Sequence, residues 1–191
     1  HHRILGQMLP GIAYFFAIGL AFMLAEMALL EQLTPFLGKP IYALAVVLSG
    51  LLLASGLGAG WGQTQEFRSV IKTFGGLLGL LLLYFLGLGN VLSAWAGLET
   101  IPRLLVALAA VALPGFLMGV PFPVGLTRLV EGIPDSEQRR IRVALAWCCN
   151  GCASVMGATG AIWLAQLSGQ STLFLAATLC YVFALLMLKK L

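Results

Sequence analysis

Six long apolar runs separated by short polar stretches organise this chain. They cover about 8–30, 41–61, 70–91, 101–126, 144–167 and 171–188. Each is close to the roughly 20 residues a helix needs to cross a hydrocarbon core of about 30 Å. Within such a core, only helices and closed barrels satisfy every backbone N–H and C=O. The runs are too long for barrel strands, which take about 9–11 residues per crossing. The pattern predicts an all-α polytopic membrane protein, a bundle of about six transmembrane helices.

Composition agrees. Hydrophobic residues make up 60% of the chain and charged residues 9%, where soluble domains run near about 25% charged. Mean hydropathy is +0.99. At 191 residues, six spans leave no room for a catalytic domain outside the bilayer, so 1–191 reads as a single transmembrane domain. The chain opens His1-His2-Arg3 rather than with Met, and is expected to be processed or to be part of a longer polypeptide. The two leading histidines are assigned no function.

The net charge of +4 does not indicate a nucleic-acid partner, because the basic residues gather at helix ends and no aromatic residues interleave with them. With the N-terminus inside, the inner segments hold Arg3, Arg68, Lys72, Arg128, Arg139, Arg140, Arg142, Lys189 and Lys190, and the outer loops only Lys39 and Arg103. This asymmetry predicts that both termini are cytoplasmic. The polar stretch 128–142 is expected to be a cytoplasmic connection, with room for a short interfacial helix or a docking surface for a soluble partner.

Small residues recur at helix-packing spacing. Gly56 and Gly60, Gly58 and Gly62, Gly75 and Gly79, and Gly115 and Gly119 are each four apart, and the fifth run adds Gly151, Ser154, Gly157, Ala158 and Gly160 on neighbouring faces. Such pairs let backbones approach closely in lipid, within the chain or between subunits.

The candidate chemistry is sparse. Glu26 lies inside the first run, where a carboxylate costs about 2.5–3.5 kcal/mol to insert and therefore faces a partner or a polar cavity. It reads either as a proton or cation site or as a buried acid that fixes packing. Pro114, Pro121 and Pro123 interrupt the fourth run and remove backbone donors. They leave carbonyls for a cation or donor-bearing ligand, as in broken transporter helices, or they act as structural kinks. Cys149 and Cys152 form a C-x-x-C beside Cys148, but no second pair and no nearby histidine completes a zinc site. They read as small packing residues. No metal or cofactor is expected. His1 and His2 are the chain's histidines, so no nucleophile–histidine pair arises, and the glycines at 56–62 lack the Lys-Ser/Thr ending of a phosphate loop. Trp61, Trp95, Trp147 and Trp163 are expected near the membrane boundaries.

Two stretches, Gly19 through Leu30 and Phe36 through Leu44, together with Gly119 through Leu126 and Trp147 through Gly157, resemble the membrane portion of bacterial spermidine-synthase-like proteins, which fuse a synthase domain to a major-facilitator-like half. The resemblance covers nearly the whole chain. It implies a bacterial inner membrane location and a cytoplasmic aminopropyltransferase-like domain elsewhere. The glycine-rich cofactor loop and the acidic polyamine-binding residues of that domain have no counterpart here, so no aminopropyl transfer is expected of this chain alone. The family usually carries small residues where Cys148 and Cys149 stand. The six-helix layout also looks like one half of a major-facilitator transporter, which needs a second half to enclose a substrate path. Two functions follow as expectations. One is a non-catalytic membrane subunit or domain that scaffolds other membrane proteins or a missing part of the same chain. The other is a half-transporter-like domain for a cation such as a polyamine, with Glu26 as its charge partner and the prolines as a gate.

Overall fold

The computed structural model describes residues 2–191, with side chains described from Met8 onward. His1 and the side chain of Arg3, which the charge argument used, lie outside the described residues. Seven helices account for nearly all of them, and none is a strand: α1 (His2–Leu37), α2 (Pro40–Gly62), α3 (Phe67–Ala94), α4 (Thr100–Gly119), α5 (Pro121–Val130), α6 (Ser136–Ser168) and α7 (Thr172–Leu188).

Five stretches are long and apolar enough to cross a membrane: Met8–Leu37, Pro40–Gly62, Phe67–Ala94, Thr100–Val130 (α4 with α5) and Ser136–Ser168. The architecture is compatible with a multi-pass helical membrane protein. The sixth apolar run forms α7, whose 17 residues reach about 26 Å at 1.5 Å per residue, a little under the usual core thickness.

Several boundaries differ from the sequence pattern, each for a local reason. α1 runs on past residue 30 to Leu37, and Gly38 ends it at φ 74° with its N–H on Thr34 O at 3.1 Å, the left-handed stop that glycine adopts readily. The polar stretch 128–142 is not one loop. Asp135 caps α6 by accepting from Glu137 N at 2.9 Å, so Ser136–Arg142 forms its first two turns and the charges ride on helix. The fourth run divides at Val120. Pro121 has no N–H to offer Leu117 O, which accepts from Val120 N at 3.3 Å instead, and α5 starts with proline at its first position.

α1 is the central helix. Tyr14, Phe15, Ala21, Ala25, Ala28, Leu29 and Leu33 are fully buried, and α1 packs most extensively against α6 and α7, while α2 packs chiefly on α4. The chain order alternates helix direction. Contacts between Gln32 and Ser171, Glu31 and Gln170, and Arg103 and Phe36 gather the ends of α1 and α3 and the starts of α4 and α7 at one pole. Arg128 over Phe67 and Arg142 against Leu129 O mark the other.

Glycine sets the closest crossings. A Cβ on Gly58 would collide with the carbonyl of Phe116, and one on Gly119 with the carbonyl of Ser55. The two helices thus touch backbone to backbone in a reciprocal pair. Gly62 and Gly115 lie in the same seam, where a Cβ would come within 3.0 Å of Val120 Cγ1 and 3.1 Å of Ala54 Cβ. Gly157 admits Met23, whose Cβ would be 2.9 Å away, and Gly19 faces Asn150 O. Gly56, Gly60, Gly75 and Gly79 meet nothing within 4 Å. For these four, the packing expected from spacing is not made within the described chain, because Gly60, Gly75 and Gly79 are exposed and Gly56 borders an open cleft.

Candidate functional site

A cleft of about 590 Å³ lies between α1, α2, the α4–α5 junction and α6, with Tyr181 of α7 also in its lining. Two glycine seams build its walls. The Gly58–Phe116 and Gly119–Ser55 contacts clamp α2 to α4, and Gly19 and Gly157 let α6 lie close on α1. The α6 wall is tied down further by Ser154, whose hydroxyl donates to Asn150 O at 2.9 Å and reaches Gly19 O at 3.4 Å. α6 buries only Ala146, Ala153, Gly157 and Ala161, so the rest of its surface stays open.

Ile18, Phe22 and Met23 present α1 to the cleft, and Ser55 and Gly56 present α2. Phe122 of α5 and Trp147 of α6 meet across it with ring centroids 4.5 Å apart, and Phe122 also sets its edge against Phe15 at 5.3 Å. Trp147 therefore lines the cleft, and Trp61 and Trp95 sit at helix ends. Ser55, Gln63, Asn150 and Ser154 are scattered polar points on a mostly hydrocarbon surface. Such a surface suits an apolar occupant that carries few polar groups.

Glu26 follows Phe22 by four residues and Met23 by three, which places it on the cleft side of α1 one turn further along. It is half-buried. Among the described residues it has no hydrogen-bond or ion-pair partner. It is neither sealed in the bundle nor part of the cleft lining.

The three prolines are in different situations. Pro114 is buried, and its missing N–H frees the carbonyl of Ala110. That carbonyl accepts from Tyr84 Oη of α3 at 2.9 Å, so it is not available to a ligand. Pro121 is buried, and its carbonyl accepts from the fully buried Tyr14 Oη at 2.6 Å. Pro123 alone of the three lines the cleft. The prolines and Glu26 are thus not brought to one point.

Cys148 and Cys152 are exposed on α6, whereas Cys149 turns inward and packs on the core. The C-x-x-C pair is therefore split between two faces, and among the described residues no group of three His, Cys, Asp or Glu assembles to hold a metal. Sequence spacing did not single out Gly19, Gly50 or Gly125 as packing positions, because their partners lie on other helices. The polar pair Asn150 and Ser154, four apart in an apolar run, was the available signal for the α6 wall. No protein-family model, curated protein or solved structure matches the chain.

Proposed function

We propose that this chain is a non-catalytic integral membrane subunit or domain that packs against other membrane helices and scaffolds a larger assembly, with the cleft face as its docking side. The observation that carries this reading is Glu26. A half-buried carboxylate on an apolar helix, without a partner among the described residues, is costly in lipid. A neighbouring polypeptide that covers the face and supplies a donor offsets that cost. The open, mostly apolar cleft beside it, with Ser55, Gly56, Ala59 and Gly119 among its lining, gives such a neighbour room to approach.

A photo-crosslinking residue at Gly56, in the open cleft, is expected to give discrete adducts with another membrane polypeptide in native membranes. The same residue at Leu83, 65% exposed on α3, is expected to give lipid adducts. Lipid adducts alone at both positions would overturn the scaffold reading.

A second reading is a half-transporter-like domain for a cationic small molecule such as a polyamine. It is favoured by the cleft's lining, drawn from α1, α2, α4–α5 and α6 with Pro123 at the break, and by Glu26 on the adjoining turn. Uptake of labelled spermidine into proteoliposomes that Glu26→Gln abolishes would establish it. Absence of uptake by the intact native assembly would remove it. Both readings place the chain in a bacterial inner membrane with both termini cytoplasmic, as the membrane part of a spermidine-synthase-like fusion or its partner. Intact-mass measurement of the natively solubilised protein tells these apart: a chain long enough to hold a synthase domain supports the fusion, and a short chain retained with other subunits supports the partner.

A further inference from the structure

The basic side chains at the pole of Arg128 and Arg142 divide into two groups by what they already touch. On the side of α5 and α6 each is engaged. Arg128 lies over the Phe67 ring at 4.0 Å and stands 3.9 Å from the Glu131 carboxylate. Arg139 donates to Ile133 O at 2.7 Å, Arg142 to Leu129 O at 3.4 Å, and Arg140 sits 3.9 Å from Glu137. With Asp135 capping α6, these four cations stand among three carboxylates. On the other side are Arg68 and Lys72, in the first two turns of α3, and Lys189 and Lys190, at the end of α7. All four are exposed, and none makes an ion pair among the described residues. Glu66 is the one acidic side chain next to them in the sequence, so this side carries a surplus of uncommitted positive charge.

The two helices that bear it are antiparallel neighbours. Phe74 meets Tyr181 with ring centroids 6.4 Å apart, and Tyr84 meets Phe174 at 5.6 Å. Each step forward along α3 is thus a step back along α7, and the start of α3 lies level with the end of α7. The uncommitted cations therefore gather at one edge of the bundle. No residue of α3 lines the cleft, so this edge is distinct from the face proposed for docking.

Beyond the charges the same edge is apolar. Arg68, Lys72, Gly75, Gly79, Leu83 and Leu86 follow one another at steps of three and four, which puts them on one stripe of α3. A Cβ on Gly75 or Gly79 would meet nothing within 4 Å, and Leu83 and Leu86 are 65% and 70% exposed. From Lys72 to Leu83 the stripe is about 16 Å long at 1.5 Å per residue, close to the depth of one leaflet in a core of about 30 Å. An occupant that fits is anionic at the first turns of α3 and hydrocarbon over the next three. A free phosphate or an acidic polypeptide would meet the cations and leave the apolar stripe uncovered.

We propose that the α3–α7 edge is a preferential binding site for an anionic phospholipid. Arg68 and Lys72 hold its phosphate, Lys189 and Lys190 add to the attraction, and an acyl chain lies along Gly75, Gly79 and Leu83. The site is independent of the cleft and of Glu26, and it does not depend on which leaflet this pole occupies.

The test is native mass spectrometry of the full chain, released from a neutral detergent after equilibration with phosphatidylglycerol and phosphatidylcholine of identical acyl chains. Phosphatidylglycerol is expected to be retained in preference. Arg68→Gln combined with Lys72→Gln is expected to lower its apparent affinity about twenty-five-fold, from about fivefold for each cation near a headgroup. The thermal melt is expected to stay unchanged, because both positions are exposed. Lys189→Gln with Lys190→Gln probes the α7 half separately and is expected to act in the same direction. Arg139→Gln with Arg140→Gln removes the same charge from the engaged side and is expected to leave retention unchanged. Equal retention of the two lipids, or an equal loss from the Arg139 and Arg140 pair, overturns the site. Displacement of the lipid by glycerol phosphate would make this a soluble-anion site, and displacement by polyglutamate an acidic-protein surface. Either result overturns the lipid assignment.

Discussion

Glycine positions that look alike in the sequence separate once their neighbours are known. Gly56, Gly58, Gly60 and Gly62 alternate along one turn and a half of α2, yet only Gly58 and Gly62 face α4. At Gly58 the atom in the way of a side chain is the Phe116 carbonyl, part of a helix backbone that cannot retreat without breaking its own seam. Gly58→Ala and Gly119→Ala are therefore expected to destabilise the purified protein by about 2–3 kcal/mol or more. Gly56→Ala and Gly60→Ala should stay within about 0.5 kcal/mol of the parent, as at open surface positions. Helical circular dichroism followed through heating in detergent distinguishes the two pairs. Equal effects at all four positions would mean that the α2–α4 contact is not the one described.

At the scale of elements, the broken fourth run shows how a helix defect is accommodated. Pro114 removes the donor that Ala110 O would have had, and a hydroxyl from the neighbouring α3 replaces it. This makes a coupled prediction. Tyr84→Phe is expected to cost about 1 kcal/mol in the parent chain, because Ala110 O is then left unpaired. In a Pro114→Ala background, the substituted residue supplies its own N–H to Ala110 O, and the cost of Tyr84→Phe should fall toward zero. Additive costs across the double-mutant cycle would show that Tyr84 acts through packing alone, for instance through its edge-on contact with Phe174 at 5.6 Å. α6 shows the opposite relation between pattern and packing. It is a long helix of 33 residues that buries only a narrow small-residue stripe, so its sequence reports length and little about orientation.

For the whole molecule, the alternating helices put Lys39 and Arg103 at one pole and the remaining described basic side chains near the other. Under the positive-inside bias the second pole is expected to face the cytoplasm. In a cysteine-free background, Cys introduced for Glu137 at the start of α6 is expected to react with an impermeant maleimide only in inverted vesicles. Cys introduced for Lys39 should react only in right-side-out cells. The reverse pattern would invert the orientation.

The sequence by itself determined the class of protein, the approximate positions of six apolar elements and the break at the prolines. Each of these follows from properties local to the chain: transfer of an uninterrupted apolar run, charge at its ends, and loss of backbone donors at proline. It also marked Glu26 as costly, since that cost is a matter of depth in an apolar helix. Tertiary structure alone decided which glycines touch another backbone, that the Ala110 carbonyl is satisfied while Gln32 Oε1 has no partner among the described residues, and that Trp147 lines a cleft. These depend on partners 25 residues or more away in sequence, such as Trp147 with Phe122, Tyr84 with Ala110 or Gln32 with Ser171. A periodic pattern of small and apolar residues states that a helix has a packing face, but it does not state which neighbour meets that face or in what register.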